Sequence, residues 1–312
     1  MSYTKYLKFI AMVVLCSILV ELVLRIAFGF CDTVLFQGNK NYEYIAQPNQ
    51  SRQRFGSHIA YNAHSMRSAT LDSSAVKILC FGDSVINGGV LTDQDALATT
   101  LLGNEISKFY NRNIQFLNIS AGSWGPDNCY AYLKEKGDFN AKLIILFVNS
   151  HDAYDSMNFE KVIDVHPSYP SHQYALAIYE LWDRYLYPRL KKPEKDDSQP
   201  TDYLGINKKN DGDQFNDGFK AFIEYSKLHG IPLIVYLHAE QNELEQGVYN
   251  EQGQQIITLV QENNVPLVTD LNLRLAVDDF RDNIHLNEKG QKNIAFNIFK
   301  VLTAEQFGFL NE

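Results

Sequence analysis

The chain has 312 residues, of which 45% are apolar and 21% charged, and carries a formal net charge of -9 at pH 7. These are globular proportions, and the acidic balance argues against nucleic acid as the main partner. Four cysteines, Cys16, Cys31, Cys80 and Cys129, show no CxxC pair and no zinc spacing.

The N-terminus reads as a membrane segment. Lys5 and Lys8 precede an uncharged apolar run, residues 9–20, and the apolar character resumes to Phe30 around Glu21 and Arg25. As a helix, residues 9–30 extend about 33 Å at 1.5 Å per residue, enough to cross a bilayer. Glu21 and Arg25 are four apart, which lets them pair on one face or snorkel toward the outer interface. No small-x-small cleavage site follows, so an uncleaved anchor is expected. The lysines predict a single-pass chain in the cell membrane, with its N-terminal tip in the cytoplasm and the rest extracytoplasmic. The expected organisation is therefore residues 1–31 as cytoplasmic tip and signal anchor, 32–75 as connector, and 76–312 as the main domain with an insertion at about 155–213. The connector is polar and broken by Pro and Gly at 47–56, with a short extra strand expected at 58–62 and Arg67 as a support residue at most.

From Val76 the pattern alternates. Apolar strands are expected at 76–81, 114–118, 143–148, 231–237 and 265–268. Thr92 and Asp95 have the spacing of a capping box before Leu97, Leu101, Leu102, Ile106 and Phe109 at helical spacing. Further helices run through Tyr130 and Leu133, through Phe219, Phe222 and Ile223 to a stop at Gly230, through Ile256 and Val260, and through Ile294, Ile298 and Leu302. Strand then helix, five times, predicts an α/β fold with a five-stranded parallel sheet covered on both sides. Residues 143–148 are apolar on both faces and belong at its centre. In such sheets the site lies at the carboxyl ends of the strands.

Phe81-Gly82-Asp83-Ser84 stands at one of those ends. A buried strand, a glycine turn and a hydroxyl suit a nucleophile, and the following helix can aim N–H groups at an oxyanion. Asp282 and His285 lie three apart just before the last helix. In a tight turn that spacing lets the carboxylate face Nδ1 while Nε2 points to Ser84. Alone, a Gly-Asp-Ser is more often a plain turn, and an Asp three before a His more often a helix cap beside a surface imidazole. Together and in this order they point to a Ser-His-Asp triad.

On these blocks the chain resembles the SGNH/GDSL-type serine hydrolases, over roughly 76–305. The matching pieces are residues 81–84 with Gly88 and Gly89 after them, and above all residues 282–290. The resemblance implies a flavodoxin-like three-layer sandwich, with nucleophile Ser84, base His285 and acid Asp282. It also implies an oxyanion hole built from the Ser84 N–H, a backbone N–H in a second block and an asparagine side chain in a third. Two blocks depart from the family pattern. Within 118–125, Ser123 stands where the family has glycine, with Gly122 beside it. Within 149–152, His151 stands in place of the oxyanion asparagine, and Asn149 is the alternative donor.

The insertion is rich in aromatics: Tyr169, Tyr174, Tyr179, Trp182, Tyr185 and Tyr187. It reads as a sugar-stacking wall, a lid, a helix near the membrane, or a helix packed on the core. His166, His172, His229 and His238 lack metal spacing, so no metal and no cofactor are expected. The expected function is a serine esterase acting on O-acyl groups, O-acetyl first, of cell-envelope or exported polysaccharide. An O-acetyltransferase with the same triad is the alternative, and an inactive carbohydrate-binding module the third reading. The implied partners are an acylated carbohydrate, the membrane, and for the transferase a membrane acyl-donor protein.

Overall fold

The computed structural model describes residues 3–190, 214–273 and 275–304. Part of the expected insertion, 191–213 with its charged run at 191–197, lies outside the described residues. The chain opens with α1 (Tyr3–Phe28), which is long and apolar enough to cross a membrane. By length and composition alone it fits a membrane span or a signal sequence alike.

Two antiparallel hairpins follow, β1 (Phe36–Asn39) with β2 (Glu43–Ala46), and β3 (Gln50–Arg54) with β4 (Ser57–Tyr61). Then comes the alternation: β5 (Val76–Gly82), α2 (Ser84–Asn87), α3 (Ala98–Tyr110), β6 (Ile114–Ser120), α4 (Pro126–Lys136) and β7 (Leu143–Asn149). α5 (Ala177–Leu181) continues through a wider turn at Trp182–Leu186 into α6 (Tyr187–Leu190). After the gap come α7 (Gly218–His229), β8 (Leu233–His238), α8 (Gln241–Gln246), α9 (Glu251–Glu262), β9 (Leu267–Thr269) and α10 (Glu288–Ala304).

β5 to β9 form one parallel sheet in the order β6-β5-β7-β8-β9. Numbered within the sheet this is 2-1-3-4-5, the flavodoxin-like order. β7 is central, as its two-sided apolar character requires, and every one of its residues is buried. Alternate strand residues feed two cores. Leu79, Ile144, Leu146 and Val235 meet α4, α7 and α9 through Tyr132, Phe222 and Ile256. Ile78, Ile145, Phe147 and Tyr236 meet α3 and α10 through Leu102, Ile294 and Ile298. The result is three layers, with helices on both faces of the sheet.

Three local expectations shift. Thr92 does not start a helix. Asp93 instead caps a short 3-10 turn at Gln94–Ala96, and α3 begins at Ala98. β9 spans only 267–269, because a turn with Asn264 at φ 56° precedes it. The stretch 32–75, read as a connector, lies packed against the sheet domain. Tyr42, Tyr44, Ile45 and Met66 belong to the same core as Trp124, Tyr132 and Tyr169. The Tyr44 hydroxyl donates to the Gly122 carbonyl at 2.8 Å, and Trp124 Nε1 donates to the Tyr44 carbonyl at 3.0 Å. This stretch therefore supports the 121–125 turn beside β6.

Tyr44→Ala should lower the unfolding free energy by about 3–5 kcal/mol in denaturant titration, the usual loss for a buried aromatic. A stretch merely draped over the surface would lose no more than about 0.5 kcal/mol.

Candidate active site

β5 leads on to β6 on one side, and β7 leads on to β8 on the other. The crevice at their carboxyl ends is the switch point at which open sheets of this order bind ligands. Ser84 follows β5 and His151 follows β7, so both stand at that crevice. Gly82 closes β5, and a Cβ there would meet Ile86 Cγ2 at 2.9 Å and the Phe147 carbonyl oxygen at 3.1 Å. A bare glycine lets the end of β5 lie against β7. Asp83 then caps the single turn of α2 by accepting from the Val85 N–H at 2.9 Å. Ser84 is the first residue of that turn, where the helix's own bonding leaves the N–H without a partner inside the helix.

The loop after Ser84 is held from behind. Arg67 is fully buried and donates to the carbonyls of Asn87, Gly89 and Thr92. Gln291 of α10 donates to the Val85 carbonyl at 2.7 Å and accepts from the Ala98 N–H at 3.0 Å. One buried amide thus joins the serine turn, the start of α3 and the helix that follows His285.

His285 reaches Ser84 from 201 positions away. Its Nε2 lies 2.9 Å from Ser84 Oγ, and its Nδ1 lies 2.9 Å from Asp282 Oδ2. Asp282 Oδ1 also accepts from the N–H groups of Ile284 at 3.0 Å and His285 at 2.7 Å. The same carboxylate shapes the turn and holds the ring. Partial burial alone would raise the Asp282 carboxyl, but the His285 ring and these N–H groups outweigh it and hold it at about 2. Asp282 is therefore ionised at any pH where an imidazole base is neutral.

A second His–Asp pair lies beneath this turn. His238 ends β8 and Asp270 follows β9, and both are buried. His238 Nδ1 bonds Asp270, and Nε2 lies 2.9 Å from the Ile284 carbonyl oxygen, one residue before His285. Both ring nitrogens face oxygen atoms, an arrangement that favours the doubly protonated, cationic ring. Burial works against that charge, but Asp270 and the Ile284 carbonyl raise the pKa of His238. Asp270 also accepts from the Tyr236 hydroxyl and from the Ala239 N–H at 2.9 Å. The signal in the sequence is position alone, since both residues stand at strand ends and His238 has no motif around it.

The expected oxyanion donors fare differently. Asn149 is buried and its Nδ2 donates to Asp83 Oδ2 at 2.8 Å, so this side chain is turned inward. Ser123 takes φ 57°, a left-handed conformation that glycine adopts more easily. The Gly122 carbonyl is bound by the hydroxyls of Tyr44 and Tyr169 at 2.8 and 3.2 Å. His151 leaves 42% of its side chain exposed, and its Nδ1 lies 3.3 Å from Glu240 Oε1. Partial burial lowers its pKa, but Glu240, Asp152 and Asp83 outweigh that and raise it to about 10. His151 is thus a cation at neutral pH, able to donate a charge-assisted hydrogen bond.

Asp83, His151 and Asp152 bring ligand-capable atoms within 4.8 Å of one another, the grouping among the described residues that could hold a metal ion. A metal would have to displace the proton that Glu240 and Asp83 favour on this ring, and burial pushes the Asp152 carboxyl well above the usual carboxylate range. Both Asp83 oxygens already accept, from Val85 and from Asn149. The group fits a hydrogen-bonded acid–base cluster better than a metal cage.

No protein-family model matches the chain, and no curated protein matches it. Solved structures that are similar include a protein assigned as lipolytic, of the G-D-S-L family, from Desulfitobacterium hafniense, at 14% identity and a TM-score of 0.43 over 73% of this chain and 99% of that one. A lipase/acylhydrolase from Enterococcus faecalis is similar at 13% identity and 0.43, over 74% and 96%. A two-domain esterase active on acetylated mannans is similar at 10% identity and 0.44, over 74% of this chain and 49% of that one. At such identities and scores, function has to be argued from the geometry of the site itself.

His238→Phe should cost about 3–5 kcal/mol at neutral pH in denaturant titration, the loss expected when one partner of a buried ion pair is removed. The His238 pKa is raised in the fold, so its stabilising effect is complete at low pH and fades as pH rises through that pKa. The gap between wild type and variant should therefore narrow toward alkaline pH. A gap that widens with pH would contradict the imidazolium assignment.

Proposed function

We propose that the chain is a serine hydrolase that cleaves esters through an acyl-enzyme. The observation that carries this reading is the unbroken line from Asp282 through His285 to Ser84, with contacts of 2.9 Å on both sides of the ring. In this reading His285 Nε2 removes the Ser84 proton as Oγ attacks the ester carbonyl. Asp282 holds the ring in the tautomer whose Nε2 is unprotonated and stabilises the imidazolium that forms. The oxyanion is met by the Ser84 N–H, by the Ser123 N–H at the 121–125 turn, and by cationic His151 in the place of an asparagine amide. The tetrahedral intermediate collapses, His285 returns the proton to the leaving alkoxide, and the alcohol departs. Water, deprotonated by His285, then attacks the acyl-Ser84 ester, and His285 returns that proton to Ser84 Oγ as the acid leaves.

The topology expected from the sequence supports a substrate class. With α1 as a membrane span and Lys5 and Lys8 on the cytoplasmic side, the site faces the cell envelope, where O-acyl and above all O-acetyl groups of polysaccharide are the accessible esters. An O-acetyltransferase would use the same triad with a sugar hydroxyl in place of water, fed by a membrane acyl donor. What separates the two is how well water is kept from the acyl-enzyme.

The test is turnover of p-nitrophenyl acetate by the full chain in mild detergent. Ser84→Ala and His285→Ala should each cost at least about 10³-fold in kcat. Wild-type rates in Ser84→Ala would sink the nucleophile assignment. Activity that is lost in both variants, together with acetyl transfer to an added oligosaccharide that outruns hydrolysis, would select the transferase. Binding of the oligosaccharide with no turnover of any ester would leave the binding module.

His151→Ala should lower kcat by about 10²–10³-fold with little change in KM, as for loss of one oxyanion donor. His151→Asn should restore part of the rate, since an amide N–H donates at a similar reach. An unchanged kcat in His151→Ala would remove His151 from the site.

A further inference from the structure

We propose that residues 176–190 form an interfacial platform, whose exposed apolar face lies in the headgroup region of the bilayer that α1 crosses. The proposal rests on the reading of α1 as a membrane span and adds that the domain is seated on the lipid surface, not hung from a loose tether.

The end of α1 is bonded into the insertion. Glu21 accepts from the N–H groups of Ala177 at 2.8 Å and Ile178 at 3.0 Å, and Arg25 donates to the Ala175 carbonyl at 2.6 Å. Just beyond, the Phe55 N–H donates to the Phe28 carbonyl at 3.1 Å and Arg54 Nη1 donates to the Gly29 carbonyl at 2.8 Å. Gly29 has φ +69°, and a Cβ there would fall 1.9 Å from the Gln53 carbonyl oxygen, so the close crossing requires glycine. Arg54 and Glu180 form an ion pair at 2.7 Å with side chains 1% and 0% exposed, and Glu180 also accepts from the Cys31 N–H at 2.6 Å. The Arg54 guanidinium lies 4.6 Å from the ring centres of Phe30 and of Phe55. α1, the β3–β4 hairpin and α5 are thus locked together by a buried ionic and aromatic cluster. This bonding gives α1 a structural role that a removed leader would not have.

Depth follows from the same contacts. From Lys8 to Arg25 a helix rises about 26 Å, which spans the roughly 30 Å hydrocarbon layer when both long side chains reach outward to its edges. Charged Glu21 and Arg25 belong at its edge, because placing them deeper costs several kcal/mol. Their partners at 175–178 therefore start α5 at the same level. The inner side of the segment carries buried Ala177 and Glu180. Its outer side carries Tyr179, Trp182, Leu186 and Leu190, which are 56%, 47%, 41% and 69% exposed and recur at helical spacing, with Ile178 beside them. Trp and Tyr among aliphatic side chains, continuous with a span, is the composition of an interfacial belt.

The chain has two tryptophans, and Trp124 is buried in the domain core, which makes Trp182 a depth probe. The full chain is reconstituted into phosphatidylcholine vesicles with and without bromine near the top of the acyl chains, and emission is compared for wild type and Trp182→Phe. The proposal expects a bromine-dependent loss of emission several-fold larger in wild type than in the variant. Equal loss in the two proteins would overturn it. Absence of loss in a chain that still resists carbonate extraction would also overturn it, and would put a protein surface over this face. A chain released by carbonate would overturn the membrane span and the platform with it. Ester turnover by Ser84, measured separately, is independent of all these outcomes.

Discussion

The carboxylate of Asp282 is bonded to the backbone and to the His285 ring at once, and the rest of the site depends on that double contact. A histidine on a mobile turn would not keep Nε2 within hydrogen-bond range of a hydroxyl 201 positions away. Because the carboxylate that orients the ring also fixes the Ile284 and His285 N–H groups, ring and turn move as one body. His238 secures the same turn from below through the Ile284 carbonyl. Arg281 ties it sideways to the loop after Ser84 through the Leu91 carbonyl at 2.6 Å and the Thr92 hydroxyl at 2.8 Å.

The sheet explains why those ties converge. Its middle is aliphatic and buried, so polar groups appear where the strands end, and there they must be satisfied. Arg67, Gln291, Asp270 and His238 meet that demand with side chains from distant parts of the chain. Each buried charge opposes stability when taken alone, yet an incomplete network would cost more than none. The arrangement thus favours one geometry of the Ser84 loop against the His285 turn. The aromatic cluster around Arg54 joins the end of α1 to the same domain.

What the sequence made legible had local signatures. The strands were visible as apolar runs because both faces of the parallel sheet are covered, and 143–148 was placed at the centre for that reason. The Asp282–His285 contact was visible because three residues make one turn. Less legible was whatever depends on contacts far apart in the chain. Thr92 and Asp95 have the spacing of a capping box, but Thr92 is drawn inward by Arg67 and Arg281. Asn149 has the chemistry of an oxyanion donor, and one of its two amide N–H groups goes to Asp83, a contact that no spacing in the sequence announces. The hairpins at 36–61 are too short and polar to register as alternation, though Tyr44 and Ile45 enter the main core. Gln291 and the His238–Asp270 pair carried no motif, only positions on a buried helix face and at two strand ends.

The central claim is that Ser84 is a nucleophile because His285, held by Asp282, removes its proton. Its most direct measurement is labelling of the full chain with a fluorophosphonate at neutral pH, with the adduct mapped by peptide mass spectrometry. One adduct on Ser84 is expected, absent in Ser84→Ala and formed far more slowly in His285→Ala. Equal labelling of wild type and Ser84→Ala would contradict the claim.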